Sequence, residues 1–193
     1  MKRRRRLALF GGAFDPIHNA HLQIAREAVR RFELDQVLFV PAACPPHKRL
    51  HADYEDRYRM VELALENQPG LAASRLEAGT ARSFSIDTIE KLKAELTPGD
   101  RLFFIIGADA FAEIRTWKRW RDVAGAVEFI VVSRPGHQYE VPGETRVHSL
   151  DTLDLPVSSS EIRARLASGD DSVDAPAAVV QYIRERKLYS GQA

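Results

Sequence analysis

The order of elements predicts an α/β chain, a doubly wound parallel sheet with helices on both faces. Three observations carry this. Short, continuous apolar runs of the kind that fill a sheet covered on both sides recur at Leu7–Phe10, Gln36–Pro41, Arg101–Ile106 and Glu128–Ser133. Segments with apolar residues at helical spacing lie between them. Glycine and proline pairs punctuate the joins, at Gly11-Gly12, Pro69-Gly70, Pro98-Gly99 and Pro135-Gly136.

The first strand, Leu7–Phe10, stops at its glycine pair. From Asn19 the apolar positions Ala20, Ile24, Ala25, Ala28, Val29 and Phe32 predict a helix. After the second strand, Gln36–Pro41, a loop over Ala42–Ala52 leads to a helix at about Tyr54–Glu66. Residues Ala72–Leu76 suit a short strand. Ser85 begins a helix with the stripe Ile86, Ile89, Leu92 and Leu96. Arg101–Ile106 and Glu128–Ser133 are the third and fourth strong strands. Gly136–Asp154 is the least regular stretch and reads as a surface excursion before a final strand. Three serines, Ser158–Ser160, precede the helical pattern Ile162, Leu166, and a last helix covers about Ala177–Lys187. No repeat or linker divides the chain, so residues 1–193 are expected to form a single domain.

Net charge is +1, which gives no global field for nucleic acid or an anionic membrane, and neither is expected as a partner. The basic run Lys2–Arg6 reads as a solvated lead-in to the first strand. The apolar stretch after it is broken at Gly11 and carries Asp15, unlike a secretion signal. A single cysteine, Cys44, permits no intrachain disulfide and suits a reducing cytoplasm. It has no evident base partner and reads as structural. Oligomeric state is not legible, and a homo-oligomer stays open.

The chemistry concentrates at the first strand-to-helix turn, where open α/β sheets bind ligands. Gly11 and Gly12 would let a phosphate approach the backbone, and the following helix offers amide donors and a positive dipole end. His18 and His21, at i and i+3, place two imidazoles on one face of its first turn. This is a clamp for an anion, with phosphate the leading candidate. The blander alternative has His18 as a cap and His21 packed on the sheet.

Further segments gain weight from that turn. In Val157–Arg163 the serines can cap a helix, Ser160 can donate to phosphate, and Arg163 can engage two phosphate oxygens at once. Asp109, after Ile105-Ile-Gly-Ala, can accept from ribose hydroxyls or cap a helix from Ala110. Trp117-Lys-Arg-Trp120 could stack a planar ring or simply supply core tryptophan. Pro45-Pro-His-Lys48 is a stiff loop whose Lys48 could reach a substrate phosphate. His51, His137 and His148 have no partner by spacing and receive no role. Zinc-type Cys/His spacing, a Gly-x-x-x-x-Gly-Lys-Ser/Thr loop and a Gly-x-Ser-x-Gly elbow are all missing from the sequence.

Together and in this order, the segments resemble the nucleotidyltransferase superfamily, with its His-x-Gly-His and Ser/Thr-x-x-x-Arg-type signatures. Here these read His18-Asn-Ala-His21, with Ala20 at the usual glycine, and Ser158-Ser-Ser-Glu-Ile-Arg163. Within it the chain is most similar to the bacterial nicotinate mononucleotide adenylyltransferases. That resemblance rests on Gly11-Gly-Ala-Phe-Asp-Pro-Ile-His18, Pro45–Lys48, Ser83-Phe-Ser-Ile-Asp-Thr88, Ile106–Asp109, Trp117–Trp120, Ser133-Arg-Pro-Gly136 and Tyr182–Tyr189. Phe84 and Ser85 stand where that family usually has tyrosine and threonine.

The resemblance implies a Rossmann-like fold and transfer of AMP from ATP to nicotinate mononucleotide, with Mg²⁺ accompanying ATP. It implies His18, His21 and Arg163 as catalytic. ATP would meet Gly11, Gly12, Phe14, His18, His21, Asp109, Arg134, Ser159, Ser160 and Arg163. The mononucleotide would meet Gly12, Lys48, Ser85, Trp117 and Lys118, the last through its backbone amide. No metal-ligating side chain is implied. Alternatives are an adenylyltransferase of the same fold acting on nicotinamide mononucleotide or phosphopantetheine, and a non-catalytic nucleotide-binding module. The chemistry of the residues agrees with the first reading. A mononucleotide phosphate already attacks well, so the protein must align and neutralise two anions rather than supply a nucleophile.

Overall fold

The computed structural model describes residues 3–46, 49–133, 139–151 and 157–190. Among them, six strands form one sheet in the order β3-β2-β1-β4-β5-β6, every neighbouring pair parallel. The strands are β1 (Arg6–Gly12), β2 (Gln36–Pro41), β3 (Leu71–Ala73), β4 (Arg101–Gly107), β5 (Glu128–Ser133) and β6 (Arg146–Asp151). The helices are α1 (Asn19–Arg31), α2 (Tyr54–Leu65), α3 (Ser85–Lys93), α4 (Ala108–Ala112), α5 (Trp120–Ala126), α6 (Ser159–Ala167) and α7 (Ala177–Arg186).

The two-residue period of a strand divides the core into two layers. Ala8 and Phe10 of β1, Val37 and Phe39 of β2, and Phe103 and Ile105 of β4 face one side. There they pack with Leu22, Ala25 and Ala28 of α1, Met60 and Val61 of α2, and Val179 and Ile183 of α7. The alternate residues Leu7, Leu9, Leu102, Phe104 and Ile106 face the other side, against Ile86 and Ile89 of α3, Phe111 of α4 and Val123 of α5. A sheet covered in this way has no polar face, and that is why its strands read as continuous apolar runs.

The chain winds outward from β1 to β3, then returns to lay β4 against the other edge of β1. Connections therefore leave the C-terminal ends of β1 and β4 in opposite directions, opening a crevice between them. The β1–α1 turn, the end of β4 and the start of α6 meet at that crevice.

Two expectations need correction, and one connection holds elements that the sequence pattern did not predict. The stretch expected to be irregular, Gly136–Asp154, contains β6, whose register runs from Glu128↔Arg146 to Ser133↔Asp151. Its sequence RVHSLD alternates in burial with only Leu150 fully buried, so it lacks the apolar run that betrayed the others. β3 sits at Leu71–Ala73, slightly ahead of the expected Ala72–Leu76. Between β4 and β5 the chain forms α4, a 3-10 turn at Ile114–Thr116 and α5, each too short for a helical stripe to show.

Candidate active site

Two cavities open side by side at the crevice, and Gly107, the last residue of β4, belongs to the wall of both. The larger, about 930 Å³, is framed by His18 and His21 at the start of α1, Asp109 in α4, and Ser159, Ser160 and Arg163 in α6. Ala20, the residue at the usual glycine of the His-x-Gly-His signature, is also on its wall. The smaller, about 260 Å³, is lined by Gly11, Gly12, Ser85, Thr88, Phe104 and Trp117, with Glu77 as the single charged side chain among the described residues.

The histidine pair is built by the turn between β1 and α1. His18 is the N-cap of α1 in extended conformation. Its backbone N–H donates to Nδ1 of His21 at 3.2 Å, and the His21 N–H donates back to the His18 carbonyl at 3.0 Å. Because Nδ1 of His21 accepts, the neutral ring carries its proton on Nε2, leaving that nitrogen as the donor. The two rings stack at 3.7 Å between centroids. His18 is only 6% exposed. Burial pushes its pKa down to about 4, against an opposing pull from Asp174, so the ring is neutral at pH 7. Below the pair, Phe14 packs edgewise on His21 at 5.1 Å and fixes the floor.

The serine cluster meets this turn from the far end of the chain. Ser158 is the N-cap of α6, its Oγ accepting from the Glu161 N–H at 3.2 Å. Of the three serines expected to cap, one does; Ser159 and Ser160 already belong to the first turn. Ser159 Oγ donates to the Pro16 carbonyl at 3.0 Å. Arg163 donates through Nη1 to the Asp15 carbonyl at 2.7 Å and through Nη2 to Ser160 Oγ at 3.2 Å. Two helix N-termini, two imidazoles and a guanidinium thus face one cleft, an arrangement suited to a polyanion.

The other expected residues are placed as follows. Gly11 and Gly12 line the smaller cavity rather than the cleft of the histidines. At Gly12 a Cβ would come within 3.0–3.3 Å of the Phe14 ring, so packing alone demands glycine there. Phe14 is itself 2% exposed, a support beneath the site. Lys118 turns its ammonium to Asp87 at 3.0 Å and over the Phe84 ring, outside the smaller cavity. Ser85 and Trp117 do line that cavity, Trp117 lying edge-on to Phe104 at 6.0 Å. Lys48 and Arg134 lie outside the described residues.

Other participants were not legible. Arg49 lines the larger cleft beside the position where Lys48 was singled out. Glu77, buried among apolar neighbours, accepts from Thr88 Oγ1 at 2.7 Å and from the Ala43 N–H at 3.3 Å, joining α3 to the loop after β2. Asp15 read as part of a turn. It is instead a buried junction accepting from the N–H groups of His51 and Ala52 and from the Tyr189 hydroxyl. His51, given no role, thus helps to hold the site. His148 pairs with Glu128 at 2.9 Å at the opposite, N-terminal end of the sheet.

Comparison with known proteins agrees with this geometry. Residues 9–165 match the family model described as cytidylyltransferase-like, and fold and site together define a nucleotidyltransferase. A Solibacter usitatus protein named "Probable nicotinate-nucleotide adenylyltransferase" is 61% identical over 96% of this chain and 100% of its own. A protein of the same name from Geobacter sp. is 43% identical over 95% of this chain and 98% of its own. The chain belongs to the nicotinate-nucleotide adenylyltransferase family. Among solved structures, the Plasmodium falciparum nicotinic acid mononucleotide adenylyltransferase complexed with NaAD shares the fold. It superposes with a TM-score of 0.79 at 20% identity, over 96% of this chain and 98% of that one.

Proposed function

We propose that this chain transfers AMP from ATP to nicotinate mononucleotide, releasing pyrophosphate and forming deamido-NAD. The observation that carries this is the junction at Gly107. A cationic and donor-rich cleft of triphosphate size abuts a smaller aromatic cavity, so an attacking phosphate and a target phosphorus can meet.

A phosphate oxygen of the mononucleotide attacks the α-phosphorus of ATP. The bond to the α–β bridging oxygen breaks, and pyrophosphate leaves with the electron pair. His21 donates through Nε2–H to the charge building on the α-phosphate and bridging oxygen, with His18 stacked beside it. Arg163, Ser159, Ser160 and the first-turn amides of α6 take the β and γ phosphates. Asp109 takes the ribose hydroxyls, and Arg134 the adenine end. Gly11, Gly12 and Phe14 form the floor between the substrates. Lys48 takes the phosphate of the mononucleotide. Ser85, Trp117 and the Lys118 backbone amide receive the pyridine and its carboxylate. Backbone donors prefer a carboxylate to a carboxamide, which brings donors of its own.

Mg²⁺ would arrive on ATP and neutralise the departing pyrophosphate. Among the described residues no group of three His, Cys, Asp or Glu side chains is placed to hold a metal. No helix among them is long and apolar enough to cross a membrane.

The test is pyrophosphate release with ATP, Mg²⁺ and either the acid or the amide mononucleotide, for the native chain and His21→Ala. Release with the acid, lost by a factor on the order of a hundred or more in the folded variant, is expected. Equal rates with both mononucleotides would remove the selectivity, and near-normal turnover in His21→Ala would overturn the assignment.

A further inference from the structure

His18 has a peculiar dependence on its backbone. Its side chain is buried, yet Nδ1 has no hydrogen-bond partner among the described residues. Its position is set by the loop Asp15–Asn19 and by the stack on His21. What fixes that loop therefore fixes the ring.

Two of the loop's anchors come from the segment after α6. At one end, the Tyr189 hydroxyl donates to Asp15 Oδ1 at 2.7 Å, with Tyr189 only 4% exposed. At the other end, Asn19 Nδ2 donates to Asp174 Oδ1 at 2.6 Å and the Asn19 N–H donates to the Asp174 carbonyl at 3.2 Å. Only Pro16, Ile17 and His18 lie between these anchors. We propose that Asp174 and Tyr189 are positioning residues, gripping the histidine loop from both ends so that the C-terminal segment sets the geometry of His18. Neither touches the reacting atoms.

The Tyr189 contact is built rather than incidental. Burial, followed by the facing Asp15 carboxylate, drives the phenol pKa upward, so the hydroxyl stays protonated and donates. The same carboxylate holds the N–H groups of His51 and Ala52, and Arg57, fully buried, bonds the carbonyls of Ala13 and Ala52. Removing one donor leaves a buried carboxylate oxygen short of a partner next to the loop. A displacement of about 1 Å at a reacting group can cost on the order of a hundredfold in rate.

The inference rests on the catalytic reading of His18, so His18→Ala is measured beside Tyr189→Phe and Asp174→Ala in the full chain. Each single positioning variant is expected to lower kcat about ten- to a hundredfold per folded molecule. The KM for the mononucleotide should stay at the native value, because the smaller cavity does not contain either anchor. A merely structural role would instead lower the melting temperature and leave kcat per folded molecule unchanged. Both variants within about twofold of native kcat, with His18→Ala strongly impaired, would overturn the inference alone. Native turnover in His18→Ala would overturn the reading beneath it. Should Tyr189→Phe fail to fold, Asp174→Ala decides, since it removes the acceptor of the Asn19 side chain and Asp174 is exposed, so its loss empties no core position.

Discussion

Arg163 Nη1 and the carbonyl oxygen of Asp15 lie 2.7 Å apart across 148 residues of chain. With the bond from Ser159 Oγ to the Pro16 carbonyl, this contact ties the serine segment of α6 to the turn before α1 in a common cleft. It also orients the guanidinium, so Arg163 reaches the site already positioned rather than as a mobile surface cation.

Arg163→Ala should therefore reduce kcat by about a hundred- to a thousandfold, the cost of losing one preorganised donor to a developing oxyanion. Arg163→Lys should recover little of it. An ammonium has no planar fork with which to hold the Asp15 carbonyl, Ser160 and a phosphate together. Steady-state kinetics with varied ATP check both, and a lysine variant with native kcat would contradict the fork argument.

Acid should weaken the fold through His18. Its native pKa of about 4 lies below the unfolded 6.5, so the unfolded chain binds the extra proton in between. The contribution is intact above pH 6.5 and is lost as pH falls toward 4, by an amount on the order of 3 kcal/mol. Urea midpoints of the native chain across this window should fall more steeply than those of His18→Asn. Parallel curves would show that burial does not hold the ring neutral.

Gly12→Ala should destabilise by about 1–3 kcal/mol, the usual range for overpacking. The new methyl meets the Phe14 ring, which Phe10, His21 and Phe39 confine and whose backbone is already left-handed, at φ 48°. Because Phe14 supports His21, kcat should fall with stability. Denaturant melts and turnover on the same sample test the link, and full stability would contradict it.

The sheet was legible because strands buried on both faces cannot hide their apolar runs, and the helix starts because Asn19, Tyr54 and Ser85 each open a stripe. β6 escaped since a single buried residue, Leu150, marks it. That His18, His21 and Arg163 would share one cleft was legible from their spacing and chemistry. The role of Asp15 was not, because an aspartate before proline already makes sense as a turn. Tyr189 closed a motif without revealing a partner, and Glu77 sat in a segment with no pattern at all. Buried polar junctions between distant segments leave no periodic trace, so tertiary structure alone discloses them.

Gly107 lies between the two cavities with no side chain, and a Cβ there would meet nothing within 4 Å. The fold thus tolerates a larger residue at the one point where the chemistry does not. Its φ of −70° suits any amino acid, so the empty position is a doorway kept clear. A bulky occupant would leave two competent rooms whose guests never meet.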